Sequence, residues 1–344
     1  MNIANRTNLP LSDFTIYTSL PPSLSRTMGG RDLGEGYQRS CIASWRSLGT
    51  RVVSLNSQAE ISDLANKGYD IEFVQIDGQR PRIVDFLDAI KASGQKIAAI
   101  VNADCILIAT TATIDAAIRS AASGMVIFER LNVSAETLCP TGESCRGFDL
   151  FLFGTEPLDR LILDEKLMIG SPWWDYWFPL AYGEAGGKLA SLHGPALLHL
   201  DHPLGYGSKS WEDNARRLHS YLAKRKLVSG LDPGSDLIPS KRQLFNMAGQ
   251  CFSELQSSDK IIIEDQGSNL NLKMLRNAQI FGNERVHKAI EDAQSRPFTN
   301  LYKYVKWWTS KPLATLSIFL GKEFSARMHR RAAKNAPLTR NIAL

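Results

Sequence analysis

Three short stretches hold the residue types that do chemistry. In IAAIVNADCILI, residues 97–108, an apolar run enters Asn102-Ala103-Asp104. Burying an unpaired carboxylate is costly, so an acid there needs a partner or a ligand. In the second stretch, residues 170–177, Trp173, Trp174, Tyr176 and Trp177 surround Asp175. Aromatic faces pack on the apolar faces of sugar rings, and a carboxylate takes hydroxyl protons. The third stretch is His199-Leu200-Asp201-His202, which closes the apolar run PALLHLDHP. Neutral imidazoles ligate cations, and a neighbouring carboxylate orients them. Strand alternation puts His199 and Asp201 on one face and His202 on the other, near the turn.

These residues need a scaffold, and the flanking sequence predicts one. FTIYTSL (14–20) is β-rich and leads into a Gly-rich loop at 25–36. Residues 37–49 read as a helix, 51–56 as a strand, 57–68 as a helix and 70–77 as a strand. A helix over 81–94 opens on Pro81 and closes on Gly94, followed by the strand leading to Asp104. Beyond it, 113–124 reads as a helix, and 125–133 and FDLFLFG (148–154) as strands. Such alternation predicts βαβ units and a mainly parallel sheet. The expected fold is α/β over residues 1–210, with a mainly helical region over 211–344. In a parallel sheet the ligand crevice lies beyond the carboxyl ends of the strands. That rule gathers Thr18, Ser19, Asn56, Asp77, Asn102 and Asp104 around one crevice.

The order strand, helix, strand, helix, strand, helix ending Ala92-Ser93-Gly94, then apolar strand into x-Ala-Asp resembles the nucleotide-binding half of GT-A-type glycosyltransferases. The likeness spans roughly residues 13–205. It implies a Rossmann-like sheet flanked by helices, a nucleotide-sugar donor (a UDP-sugar first) and a Mn²⁺ or Mg²⁺ cofactor. The cation bridges the diphosphate, offsetting charge that grows as the glycosidic bond breaks. By this resemblance Asp104 ligates the metal, and a later histidine, His202 or His199, completes the shell. Asn102 stands where the motif has an acid, and its amide would meet the ribose or a metal-bound water. Thr18, Ser19 and Asn56 look like contacts to the base, with Asp77 beside them. Arg80 or Arg82 resembles the arginine that faces the base or diphosphate. Asp175 corresponds to the general base of an inverting enzyme, with Trp173, Trp174, Tyr176 and Trp177 receiving a glycan or glycolipid acceptor. Cell-surface polysaccharide synthesis is the expected setting.

Composition sets the outer limits. Of 344 residues, 44% are apolar and 22% charged, as in an ordinary globular chain. No run approaches the roughly 18–20 apolar residues of a membrane span. The first residues lack the basic and apolar blocks of a secretory signal, so a cytoplasmic protein is expected. Five irregularly spaced cysteines argue against a disulfide framework. The segment 302–340 carries nine lysines and arginines against Glu323 alone. Its tyrosines and tryptophans suit peripheral contact with a membrane through 301–331. No nucleic-acid motif is present, and no such partner is expected. Two other readings stay open: a metallohydrolase built on His199, Asp201 and His202, and a non-catalytic glycan-binding protein whose nucleotide site has decayed.

Overall fold

The computed structural model describes residues 14–28, 31–32, 34–133, 147–202, 207–225 and 261–264, together with 240, 243, 244, 246, 247 and 249. The basic tail, Cys139, Cys145 and Cys251 lie outside these residues; Cys41 and Cys105 are buried free thiols. In chain order the elements are β1 (Phe14–Thr18), β2 (Thr27–Met28), β3 (Arg31–Asp32), α1 (Gly34–Arg46), β4 (Arg51–Asn56) and α2 (Gln58–Ala65). Then come β5 (Glu72–Gln75), α3 (Ile83–Ser93), β6 (Ile97–Val101), β7 (Cys105–Leu107), α4 (Thr111–Ala121) and β8 (Gly124–Val133). The remainder are β9 (Phe148–Gly154), α5 (Trp174–Glu184), β10 (Lys188–Leu200), α6 (Ser208–Lys224) and β11 (Ile261–Glu264).

The main sheet runs β11-β10-β8-β9-β6-β1-β4-β5, with β7 also paired to β10. Strands β5, β4, β1 and β6 are mutually parallel and form a Rossmann-like half. β9 lies antiparallel between β6 and β8, while β8, β10 and β11 are parallel again. The architecture is thus the expected one, a mainly parallel α/β sheet flanked by helices. Every residue of β1 and β6 is buried, as strands covered on both faces must be. Alternation splits the core in two. Ile16 and Ala99 join Tyr37 and Trp45 of α1 and Ile114 of α4; Tyr17 and Ile100 join Phe86 of α3, Trp177 of α5 and Leu218 of α6.

Local signals set the helix ends. Ser57 Oγ accepts from the Glu60 N–H while Glu60 Oε2 accepts from the Ser57 N–H, a reciprocal cap on α2. Gly94 closes α3 at φ 68°, in the left-handed region. The expected boundary at 210/211 falls inside α6. That helix packs on the same core as α5, with the rings of Tyr221 and Trp177 5.1 Å apart.

Candidate active site

A cleft of about 1160 Å³ opens at the carboxyl ends of β1 and β6, and both Asp104 and Asp175 line it. Its walls come from the loop after β1, the start of α2, the loop between β5 and α3, the turn after β6, the outer ends of β8 and β9, the loop entering α5, and the end of β10.

The turn after β6 and the end of β10 bring together the three most informative polar side chains. His199 Nε2 and His202 Nε2 each lie 3.2 Å from Asp104 Oδ2, and 3.2 Å from each other. The alternation argument had separated the histidines. β10 ends at Leu200, so the chain turns before His202 and its ring comes round beside that of His199. An equilateral triangle of this size matches adjacent ligands on one cation with bonds of about 2.0–2.2 Å. His199 Nδ1 lies 2.9 Å from Asn132 Oδ1. Donation to that amide oxygen would free the Nε2 lone pair for a cation when one is bound. The residues therefore fit a divalent cation in geometry and in donor type.

Two further groups hold the cluster. The Arg26 guanidinium donates to Asp104 Oδ2 at 2.6 Å in a part-buried pair. Burial opposes ionisation of Asp104, but His199, His202 and Arg26 outweigh it and hold the carboxyl well below the usual carboxylate range. Tyr37 Oη donates to the Asp104 carbonyl at 2.6 Å and accepts from the Leu200 N–H at 3.1 Å. One buried hydroxyl thus ties together the two segments that carry the cluster. Tyr37→Phe leaves both backbone groups unpaired, which should cost about 1–3 kcal/mol in a denaturant titration. Metal affinity should weaken with it; unchanged affinity would show that the tie is not needed to align the ligands.

Asp175 lies in the first turn of α5. A helix N-terminus favours the carboxylate form. Here burial, then the negative charge of Asp149, pushes the carboxyl up to about 7, with Arg130 and the Phe148 N–H opposing. Desolvation outweighs the helix end, and the result is a carboxylate poised near neutrality. The approach is strained. Trp173, the residue before the helix, sits at φ 72°, a region that bulky side chains rarely enter. Trp173 and Trp174 border the cleft, yet both are buried with Tyr176 and Trp177 in one core cluster, so the four aromatics expected to receive an acceptor serve packing instead. Trp174 meets Phe151 edge-on, and Tyr176 packs on Phe148.

The other expected site residues divide. Ser19, Arg80 and Asn102 line the cleft. Thr18 and Asn56 are fully buried and do not. Asn56 Nδ2 donates to the Leu20 carbonyl at 2.8 Å, and Asn56 Oδ1 accepts from Ser54 Oγ at 2.6 Å, so it braces the loop after β1. Asp77 is exposed and outside the cleft lining. Arg82 pairs with Asp85 at 2.6 Å at the start of α3, also outside it. Asn102 donates to Asp149 Oδ1 at 2.5 Å. Arg26, Arg130, Asn132 and Asp149 were not anticipated. Only Asp149 had a local signal, as an acid within the otherwise apolar FDLFLFG.

No protein-family model and no curated protein sequence matches the chain. Among solved structures, the mannosyltransferase PcManGT from Pyrobaculum calidifontis, in complex with GDP-Man and Mn²⁺, overlaps with a TM-score of 0.40 and 11% identity, over 87% of this chain and 88% of that one. The inositol-1-phosphate CTP transferase of T. maritima overlaps at 0.34 and 11% identity, over 59% and 94%. The 4-diphosphocytidyl-2C-methyl-D-erythritol synthase of Anaerococcus prevotii overlaps at 0.33 and 11% identity, over 54% and 90%. These are likenesses of overall architecture.

Proposed function

We propose that the protein is a metal-dependent glycosyltransferase that moves a sugar from a nucleotide-sugar donor to a hydroxyl of a glycan or glycolipid. The observation that carries this reading is the pairing, within one cleft, of an Asp104–His199–His202 cluster with a carboxylate raised to about 7. Asp104, His199 and His202 would hold the cation, which when bound offsets charge on the donor's diphosphate. Two imidazoles favour Mn²⁺ over Mg²⁺, which takes oxygen ligands. Asp175 accepts the proton of the attacking hydroxyl. Ser19 and Arg80 stand on the walls where the donor's nucleotide would lie.

The test is a thermal-shift series with UDP-, GDP- and CMP-sugars, each with and without Mn²⁺. A ligand bound only to the native state raises stability by RT ln(1 + [L]/Kd), about 2.7 kcal/mol at a hundredfold excess over Kd. One nucleotide-sugar should raise the melting temperature, and more so with Mn²⁺. A response to Mn²⁺ with none to any nucleotide-sugar would instead favour a hydrolase, and no response to either would end the proposal.

A further inference from the structure

Asn102 departs from an acidic pattern, and Asp149 supplies a physical reason. Asp149 lies in β9 and is 1% exposed. Its Oδ1 accepts from Asn102 Nδ2 at 2.5 Å, and its Oδ2 from Arg130 Nη1 at 2.5 Å. The main chains are joined as well, the Asn102 N–H donating to the Asp149 carbonyl at 2.9 Å. An acid at position 102 would confront Asp149 across that distance, and two carboxylates so close do not both ionise. Arg130 is fixed from its other side too. A Cβ at Gly147 would come within 2.9 Å of the guanidinium carbon, so the absent side chain leaves its slot open. Asn102, Arg130, Asp149 and Asp175 all line the cleft.

We propose that Asp149 is a positioning residue of this site: it anchors Arg130 in the cleft wall, sets the charge that Asp175 faces, and requires an amide at position 102. The charged groups facing Asp175 are Asp149 from β9 and Arg130 from β8, joined by the Phe148 N–H. Asp149 is the stronger of the two and disfavours the carboxylate form of Asp175; Arg130, held by Asp149, partly offsets it. The pair acts as a fixed dipole beside the base. The proposal rests on the transferase reading for the purpose of Asp175, but its geometry and its test do not need turnover.

The experiment compares wild type, Asn102→Asp, Asp149→Asn and the exchange Asn102→Asp with Asp149→Asn. The Asp175 carboxyl is followed by carbon NMR against pH, its resonance assigned with Asp175→Asn. Asp149→Asn should lower the Asp175 midpoint by about one pH unit or more, since a like charge is removed. The acidic limb of kcat/KM, where turnover is measurable, should move the same way. Asn102→Asp should lower the melting temperature by about 5 °C or more, and the exchange should recover at least half of that. An unmoved Asp175 midpoint, or an exchange no more stable than Asn102→Asp alone, overturns the proposal. If Asp149→Asn does not fold, recovery by the exchange decides the matter by itself. Failure of the transferase reading would appear separately, as absence of turnover by wild type with every donor.

Discussion

Asp104→Asn is expected to remove Mn²⁺-induced stabilisation and to reduce turnover by about 10³-fold, the loss of several kcal/mol of charge stabilisation. Asp104 Oδ2 is the atom that both histidine nitrogens approach and that Arg26 contacts at 2.6 Å. An amide there supplies no negative charge to the cation. It also takes the charged partner from Arg26, which is part-buried, and that loss destabilises the fold on its own. Activity alone would therefore confuse a metal effect with a folding effect. His202→Gln separates them. It removes a ligand but keeps the Arg26–Asp104 pair, so metal-free stability should stay near wild type while the Mn²⁺ shift disappears. If both variants retain the wild-type Mn²⁺ shift, the cluster is not the metal site. Arg26 sharpens the comparison. It contacts the same oxygen that a cation would use, so metal must share or displace that contact.

The scaffold was largely legible because its signals are local. A helix is set by caps and apolar spacing within a dozen residues; Ser57 and Gly94 each mark an end found in the structure, while Pro81 lies just outside α3, which begins at Ile83 with Arg82 as its cap. Asp104 was legible by position, as an acid closing a buried strand. What surrounds it was not. Arg26 lies 78 residues before it in sequence, and Asn102 lies 47 residues before Asp149. Such pairs leave no periodic trace. The strand-end rule erred toward inclusion for a related reason: it gives height along the sheet, not which way a side chain points. Thr18 and Asn56 stand at the right height but are closed into the core. Arg82 is taken by Asp85, three residues on, in an exposed pair of the helix start. For the histidines, alternation held only as far as the strand did.

The aromatic stretch shows how one segment serves both core and site. Tyr176, Trp177 and Phe178 are buried against β9 and α6, which fixes α5 firmly. Trp173 absorbs the strain at the junction. With the helix fixed, Asp175 is held partly buried at the cleft wall, and its raised proton affinity follows from that burial and then from the charge of Asp149. The carboxylate is poised because the tryptophans around it pack well.

Asp175→Asn is accordingly expected to cut kcat by about 10²-fold or more, with donor binding unchanged. Wild-type kcat/KM should rise with pH through about 7 as the carboxylate forms, and the variant's residual rate should lose that limb. Stability should move the opposite way. In the fold Asp175 keeps its proton up to about 7, against an ordinary value of 3.8. The unfolded chain thus binds fewer protons between those values, and stability falls as pH rises through that window. A difference of about three pH units corresponds to a loss of up to about 4 kcal/mol above pH 7. Asparagine cannot ionise, so the variant escapes that loss. It should melt on the order of 5 °C or more above wild type at pH 8, an advantage that shrinks as pH is lowered toward 5. A base placed only for packing would give neither result: replacing it would leave the rate intact, or would destabilise at every pH. Lower activity together with higher stability at alkaline pH marks a carboxylate kept at a cost to the fold because the reaction uses it.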